Sequence, residues 1–365
     1  MPDRFVRLLG ALTVAVVICL AAVPITGQAP TKPAKPTGAS LVPHTPDGHP
    51  DLSGLYSTAT ITTLERPVEF GNRLVLTEAE AEKIEGQNLQ RNYARNTSSR
   101  AERSAPPVGG NVGGYNNFWI DRERGTEVIE VDGQLRSSLI VDPPNGRIPP
   151  TTPEAQKRAA ARPGAVRPTS DAPEQEDTAG VGIYDDPELR PLGERCILGF
   201  GSTSGPPSLP VLYNNHKQIV QTPQYVTILN EMVHDVRIIR MNQPHLPKHM
   251  RHWMGDSVGR WEGDTLVVDT TNFTAKTRFR GSSENLHVVE RFKRVDDKTI
   301  HYQFTVEDPA TWTRPWTAEY PWNASDEPLY EYACHEGNYA LGDILRGERL
   351  LDREAAEAKK SGSKP

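Results

Sequence analysis

The chain has 365 residues, with 41 Lys and Arg against 47 Asp and Glu, so its formal charge is −6. It has no basic run and no basic balance. It therefore lacks the electrostatic footprint that draws proteins to nucleic acid or to anionic bilayers, and neither is expected as a partner.

Arg4 and Arg7 open the chain, 8–24 is an almost unbroken apolar run, and small residues follow at Gly27 and Ala29. That order is the order of a secretory signal peptide. Residues 1–29 are expected to be removed on export, with cleavage at the end of Thr26-Gly27-Gln28-Ala29. A retained anchor is the alternative, although the run is shorter than the roughly 20 apolar residues of a spanning helix. Cys19 follows Ile18, where a lipoprotein site needs a small residue. Cleavage removes two arginines and one aspartate and moves the formal charge from −6 to −7. No other segment is long and apolar enough to span a bilayer, so no membrane partner is expected afterwards.

Two cysteines remain, Cys196 and Cys334. In an oxidising compartment they are expected to form one disulfide. Two free thiols are the alternative, and a metal pair is weaker still because neither lies in a Cys-x-x-Cys. The expected location is the periplasm or the medium outside the cell.

Residues 30–50 are rich in Pro, Lys, Thr and Gly and read as a disordered linker. Order is expected from Asp51, at the start of a single β-rich domain over 51–345. Thr77-Glu78-Ala79-Glu80 is a capping-box pattern, and helix formers follow over 79–90. Residues 97–113 read as loop. Strands are expected at 118–121, 126–131 and 137–141, before the turn Pro143-Pro144-Asn145-Gly146. Residues 151–192 read as a flexible insertion, with a short helix over 152–162 and an aperiodic acidic, Pro-rich remainder. Strands then come quickly, at 218–222, 225–232, 234–240, 259–261, 265–270, 286–295, 299–306 and 317–320. Short strands at regular spacing with turn residues between them predict a mainly β fold, an antiparallel up-and-down barrel or sandwich with a few peripheral helices. Residues 346–365 read as a charged helical tail.

Alternate side chains of a strand face one side. In 286–294 the apolar set is Leu286, Val288 and Phe292, and Glu290 falls within it. In 232–238 the set is Met232, Val236 and Ile238, and His234 falls within it. Both are expected to face the interior, where they would form a general acid–base pair. The alternative is that each is a satisfied structural group, or that a bulge reverses its parity. His245, His249, His252 and Asp256 recur at helical spacing. If Pro247 opens a short helix, His249, His252 and Asp256 share a face that could hold zinc or iron; the alternative is a polar loop at the barrel rim. Trp253, Trp261, Trp312, Trp316 and Trp322 crowd the last third of the chain. Trp261, Trp312 and Trp316 at a barrel mouth would stack on a sugar or another flat ligand, with core packing as the alternative. Arg280 and Arg314 could grip an anionic group, or make ordinary ion pairs. His335 and Glu336, beside Cys334, are a secondary candidate pair. The chain has no Gly-x-Ser-x-Gly elbow, phosphate loop, Gly-x-Gly-x-x-Gly or Cys-x-x-Cys-His, and no cofactor is expected.

Several blocks are similar to those of a large group of exported, mostly uncharacterised β-rich proteins of environmental bacteria. They are Asp47-Gly48-His49-Pro50-Asp51-Leu52-Ser53-Gly54, Gly146-Arg147-Ile148-Pro149-Pro150 and Glu194-Arg195-Cys196. Gly255-Asp256-Ser257, Gly259-Arg260-Trp261-Glu262-Gly263-Asp264-Thr265-Leu266-Val267-Val268, Thr313-Arg314-Pro315-Trp316-Thr317 and Ala333-Cys334-His335-Glu336-Gly337-Asn338 complete the set. The resemblance implies a secreted β-rich protein and carries no activity with it. A looser likeness is to lipocalin barrels, with Gly54-Leu55-Tyr56 standing where those barrels begin with Gly-x-Trp.

The sequence thus supports an exported β-barrel enzyme that acts on a small organic substrate by elimination, isomerisation or hydrolysis. His234 and Glu290 would move protons and Arg280 or Arg314 would steer the ligand. The alternatives are a lipocalin-like carrier of small molecules or carbohydrate without turnover, and a metal enzyme built on His249, His252 and Asp256.

Overall fold

A computed structural model describes residues 42–95, 127–161, 184, 186–202, 205–211 and 213–361. The expected signal peptide, the strand expected at 118–121 and residues 162–183 of the expected insertion lie outside the described residues. Among those described, twelve strands follow in chain order. They are β1 (Gly54–Ser57), β2 (Glu130–Val131), β3 (Gln134–Leu135), β4 (Ile140–Asp142), β5 (His216–Gln221) and β6 (Tyr225–Asn230). Then come β7 (Val236–Met241), β8 (Asp256–Glu262), β9 (Thr265–Thr271), β10 (His287–Arg294), β11 (Thr299–Glu307) and β12 (Trp316–Ala324). The helices are α1 (Glu78–Arg95), α2 (Pro153–Ala160) and α3 (Tyr339–Ser361).

β1 and β5 to β12 pair in that order and β1 closes on β12, so nine strands form a complete barrel; β4 pairs with β12 beside the seam. The mainly β barrel expected from the strand spacing is the fold. It is not uniformly up-and-down. A closed ring of strictly alternating directions needs an even number of strands, so nine must leave one parallel pair. That pair is β7–β8, which also separates this barrel from the eight-stranded lipocalin type.

Local chemistry explains the elements. Thr77 and Glu80 exchange the two bonds of a capping box: the Thr77 N–H donates to Glu80 Oε2 at 2.9 Å, and the Glu80 N–H to Thr77 Oγ1 at 3.3 Å. Pro153 opens α2, capped by Thr152 Oγ1, which accepts from the Ala155 N–H at 3.1 Å. Gly263 supplies a positive φ of 59° in the two-residue turn between β8 and β9. Ordered chain begins before Asp51: the Leu52 N–H donates to Gln221 Oε1 at 2.8 Å, and the Gln221 amide returns to Pro50 O.

A parallel pair requires the chain to cross from one end of the barrel to the other, which 242–255 does. The helix expected to open at Pro247 does not form. The segment's polar groups are taken up by its neighbours instead. Asp256 accepts from the Leu246 N–H (2.8 Å), His245 Nδ1 (2.9 Å) and Arg240 Nη2 (2.9 Å), and the Asn272 amide donates to Leu246 O. Gly255, at φ 68°, lies where a Cβ would come within 2.6 Å of Thr271 O. His245 Nε2 continues to Asp269 Oδ1 (3.0 Å), and Asp269 Oδ2 to His287 Nε2 (3.1 Å).

The barrel interior is filled. Val288 and Phe292 from β10, Tyr302 and Phe304 from β11, and Trp316, Tyr320 and Trp322 from β12 are buried together, with Tyr56 from β1. The segment 205–209 is buried against them: the Ser208 N–H donates to the Tyr302 hydroxyl and Ser208 O accepts from the Tyr320 hydroxyl, each at 3.0 Å. Cys196 and Cys334 are joined in the expected disulfide, with Cα atoms 5.8 Å apart.

Two outcomes follow. The disulfide closes a sequence separation of 138 residues, so reduction or Cys196→Ser should lower unfolding free energy by up to about 5 kcal/mol, read from urea titrations. The crossover should be best protected at mildly acidic pH. The hydrogen bond with Asp269 raises the His287 pKa despite burial, and that contribution is lost as pH rises through the raised value. Burial works to raise Asp269, but bonds from His287 and His245 outweigh it, and that contribution is lost as pH falls through the lowered value. Amide protection factors over 242–255 should therefore peak between the ordinary values of 3.8 and 6.5. A flat profile from roughly pH 3 to 9 would show that these charges do not hold the crossover.

Candidate functional site

Perturbed ionisable groups gather at the end of the barrel where β5 begins and the β6–β7 turn lies. The pleat sends Lys217 inward with Ile219 and His216 outward. Lys217 is 1 % exposed and faces Tyr56 on β1 and Asn230 on β6 in register. Asp235 closes the turn, its carbonyl accepting from the Asn230 N–H at 2.8 Å and from the Asn230 side-chain amide at 3.2 Å. The turn is strained. Val233 and His234 both have positive φ, 63° and 47°, and a β-branched residue there costs about 1–3 kcal/mol.

Three features make this inner group chemically unusual. Burial drives the Lys217 amine down to about 8, although the charges of Asp235 and Glu231 oppose the shift. Burial likewise drives the Asp235 carboxyl up to about 6 against the pull of His234 and Lys217. Asn230 Oδ1 and Asp235 Oδ2 are buried without a hydrogen-bond partner, whereas the great majority of buried polar atoms have one. The amine senses both carboxylates but makes no ion pair with either.

On the outer side of β5, His216 Nδ1 lies 3.1 Å from Glu231 Oε2, and its Nε2 lies 3.0 Å from Ser325 Oγ. Glu231 Oε2 also accepts from the His216 N–H (3.2 Å), and Oε1 from the Tyr330 N–H (3.1 Å). Burial works to raise Glu231, but these donors outweigh it and hold its pKa below the ordinary value.

The two proton-moving candidates from the sequence are not brought together. Glu290 points inward as its strand parity predicts and is 0 % exposed. It is not a poised base. Arg237 grips both of its oxygens, with Nη1 2.9 Å from Oε1 and Nη2 on Oε2, and the Tyr302 hydroxyl donates to Oε1 at 2.7 Å. Arg237 is held in turn by Ser257 Oγ (3.0 Å) and Thr270 Oγ1 (3.1 Å). His234 is exposed on the β6–β7 turn, its Nδ1 3.2 Å from Tyr332 O, so the expected inward orientation is corrected. The cause is the two left-handed residues, which reset the pleat. Val236 and Ile238 then face solvent while Arg237 and Ile239 face inward.

The other candidates are dispersed. Trp312 and Trp316 are core residues with ring centroids 6.0 Å apart, edge to face, so they do not line a mouth. Trp261 is half-buried and stacks on His49 at 4.6 Å. Arg314 makes an exposed ion pair with Asp142 at 2.6 Å. Arg280 is exposed on the turn Phe279–Gly281. His335 and Glu336 are exposed beside the disulfide. His249 and His252 are exposed in the crossover, while Asp256 is committed to Arg240, His245 and Leu246. Among the described residues, no three His, Cys, Asp or Glu side chains are grouped to hold a metal ion. Lys217 could have been found from sequence, because it interrupts the apolar inward set of its strand. Ser325, His216 and Glu231 lie too far apart in sequence for spacing to signal them.

Replacing Glu290 by Gln leaves Arg237 buried without its counter-charge. Urea unfolding should show a loss of about 3–5 kcal/mol, the usual cost of breaking a buried pair. A loss within about 0.5 kcal/mol would show that Arg237 finds water instead.

No protein-family model, curated protein or solved structure matches the chain.

Proposed function

We propose that this is an exported enzyme acting on a small organic molecule by general acid–base chemistry, with Asp235 and Lys217 as the proton-moving pair. Export rests on the N-terminal leader pattern and fits an oxidised cysteine pair. The reading is carried by one observation: a fully buried amine and a half-buried carboxyl that sense each other's charge without pairing, with two unmatched acceptor oxygens, Asn230 Oδ1 and Asp235 Oδ2, at the two ends of the β6–β7 turn. A ligand's hydrogen-bond donors would complete that scheme. The densely packed interior argues against a carrier that holds its ligand at the barrel centre.

The protonation states follow from the two shifted values. Between about 6 and about 8, Asp235 is ionised and Lys217 is protonated. Asp235 is then the base that removes a proton from carbon or water. Lys217 is the acid that donates to, or stabilises, the developing anion. Neutral Asp235 below this window and neutral Lys217 above it each remove one partner, which gives a bell-shaped rate profile.

The test is proton abstraction from 5-nitrobenzisoxazole, followed by the absorbance of the phenolate it releases, with rates measured across the profile. The rate should rise near pH 6 and fall near pH 8. Asp235→Asn should lower it about 100-fold while Asp235→Glu keeps part of it. Equal rates for the parent chain and Asp235→Asn at every pH would sink the assignment.

A further inference from the structure

The outer side of β5 carries a second arrangement, separated from Lys217 and Asp235 by the strand itself. We infer that Ser325, His216 and Glu231 form a nucleophile–base–carboxylate relay able to open a small carboxylic ester. This activity is independent of the acid–base reading at the inner face. Each member is supplied by a different part of the fold. His216 is the first residue of β5, and the pleat turns it outward. Glu231 follows the last residue of β6, and its backbone N–H donates to His216 O at 3.0 Å. Ser325 follows the last residue of β12, and its backbone N–H donates to Leu55 O at 2.9 Å.

The direction of the hydrogen bonds follows from Glu231. An ionised carboxylate only accepts, so His216 Nδ1 must be the donor across the 3.1 Å contact. In the neutral ring that leaves the Nε2 lone pair facing Ser325 Oγ at 3.0 Å. This is the tautomer a general base needs, and Glu231 is the positioning residue that fixes it. Glu231 is itself immobilised by the backbone donors of His216 and Tyr330. Ser325 Oγ accepts from the Glu327 N–H at 3.2 Å, which orients its own proton towards the ring. Glu327 Oε2 lies 3.8 Å from Nε2 and would stabilise the imidazolium once the proton has moved. Ser325 is half-buried and not sealed in the core, unlike the histidine and glutamate behind it.

The step balances without a further reactant. Oγ gives its proton to Nε2 as the Oγ–C bond forms at the ester carbonyl. The tetrahedral adduct then breaks its C–O bond, and the leaving alcohol takes the proton from Nε2. Water repeats the sequence on the acyl-serine and releases the acid. Asp326 and Glu327 flank the nucleophile, so uncharged or cationic esters are the substrate class and anionic ones are repelled. The Ser325 N–H is committed to Leu55 O and so does not serve the developing oxyanion. Turnover is accordingly slow, and covalent capture is the sensitive readout.

The full chain is incubated with a neutral alkyl fluorophosphonate and mapped by peptide mass spectrometry, with p-nitrophenyl acetate hydrolysis measured in parallel. One phosphonyl adduct on Ser325 is expected, together with ester turnover that Ser325→Ala removes. Glu231→Gln should slow adduct formation at least about tenfold and Glu231→Asp should recover part of it. A purely structural tie would not produce that rescue. No adduct on Ser325, or one formed no faster than on exposed serines elsewhere and unchanged in Glu231→Gln, overturns the inference. Nitrobenzisoxazole reports proton abstraction and the fluorophosphonate reports a serine nucleophile, so the two readings fail separately.

Discussion

Ring closure with an odd number of strands is the constraint from which the rest of this structure follows. One neighbour pair has to run parallel, and the chain places it at β7–β8. The crossover this demands is irregular backbone lying against a sheet, so its polar groups need partners. Asp256 partners two of them, the Leu246 N–H and His245 Nδ1, and Arg240 on β7 as well, which explains why a carboxylate opens β8 instead of an apolar residue. The same carboxylate is thereby unavailable as a metal ligand, and His249 and His252, which share its sequence spacing, are left exposed while His245 is bound to it.

Inside the ring the charges are balanced differently at the centre and at the end. At the centre, Arg237 and Glu290 satisfy each other bidentately, and Ser257, Thr270 and Tyr302 complete the network. Nothing is left over for a ligand to match. At the β5–β7 end, Lys217 is buried and Asp235 half-buried without closing into an ion pair, and each is pushed towards its neutral form. Desolvation without compensation is the usual physical setting in which side chains become reactive near neutral pH. The strained turn of Val233 and His234 lies directly beside them.

Much of this was legible in the sequence where the deciding interactions are local. The reciprocal bonds of Thr77 and Glu80, the strand spacing after residue 215, and the inward aim of Glu290 depend on neighbours within a few residues. His234 departs from its strand parity because the turn holds two left-handed residues, beyond which the side chains of β7 change sides. The apolar pair Val236 and Ile238 gives a misleading pattern, since both are exposed. The partner that makes Glu290 structural, Arg237, sat in the polar set of that same misassigned strand. His216, Glu231 and Ser325 meet only because three strand ends converge, a fact of ring geometry that no local pattern carries.

The seam of the barrel also bears on how the molecule is made. β1 pairs with β5 across the long connection that holds α1 and α2, and Tyr56 lies opposite Ala324 on β12. The cylinder cannot be completed until the chain through β12 exists. The entropy of bringing such distant segments together grows only slowly with their separation, but pairings this remote in sequence are reached late and slowly. A chain emerging N-terminus first thus keeps one edge of β1 unmatched after β5 has paired with the other, until β12 follows and closes the ring.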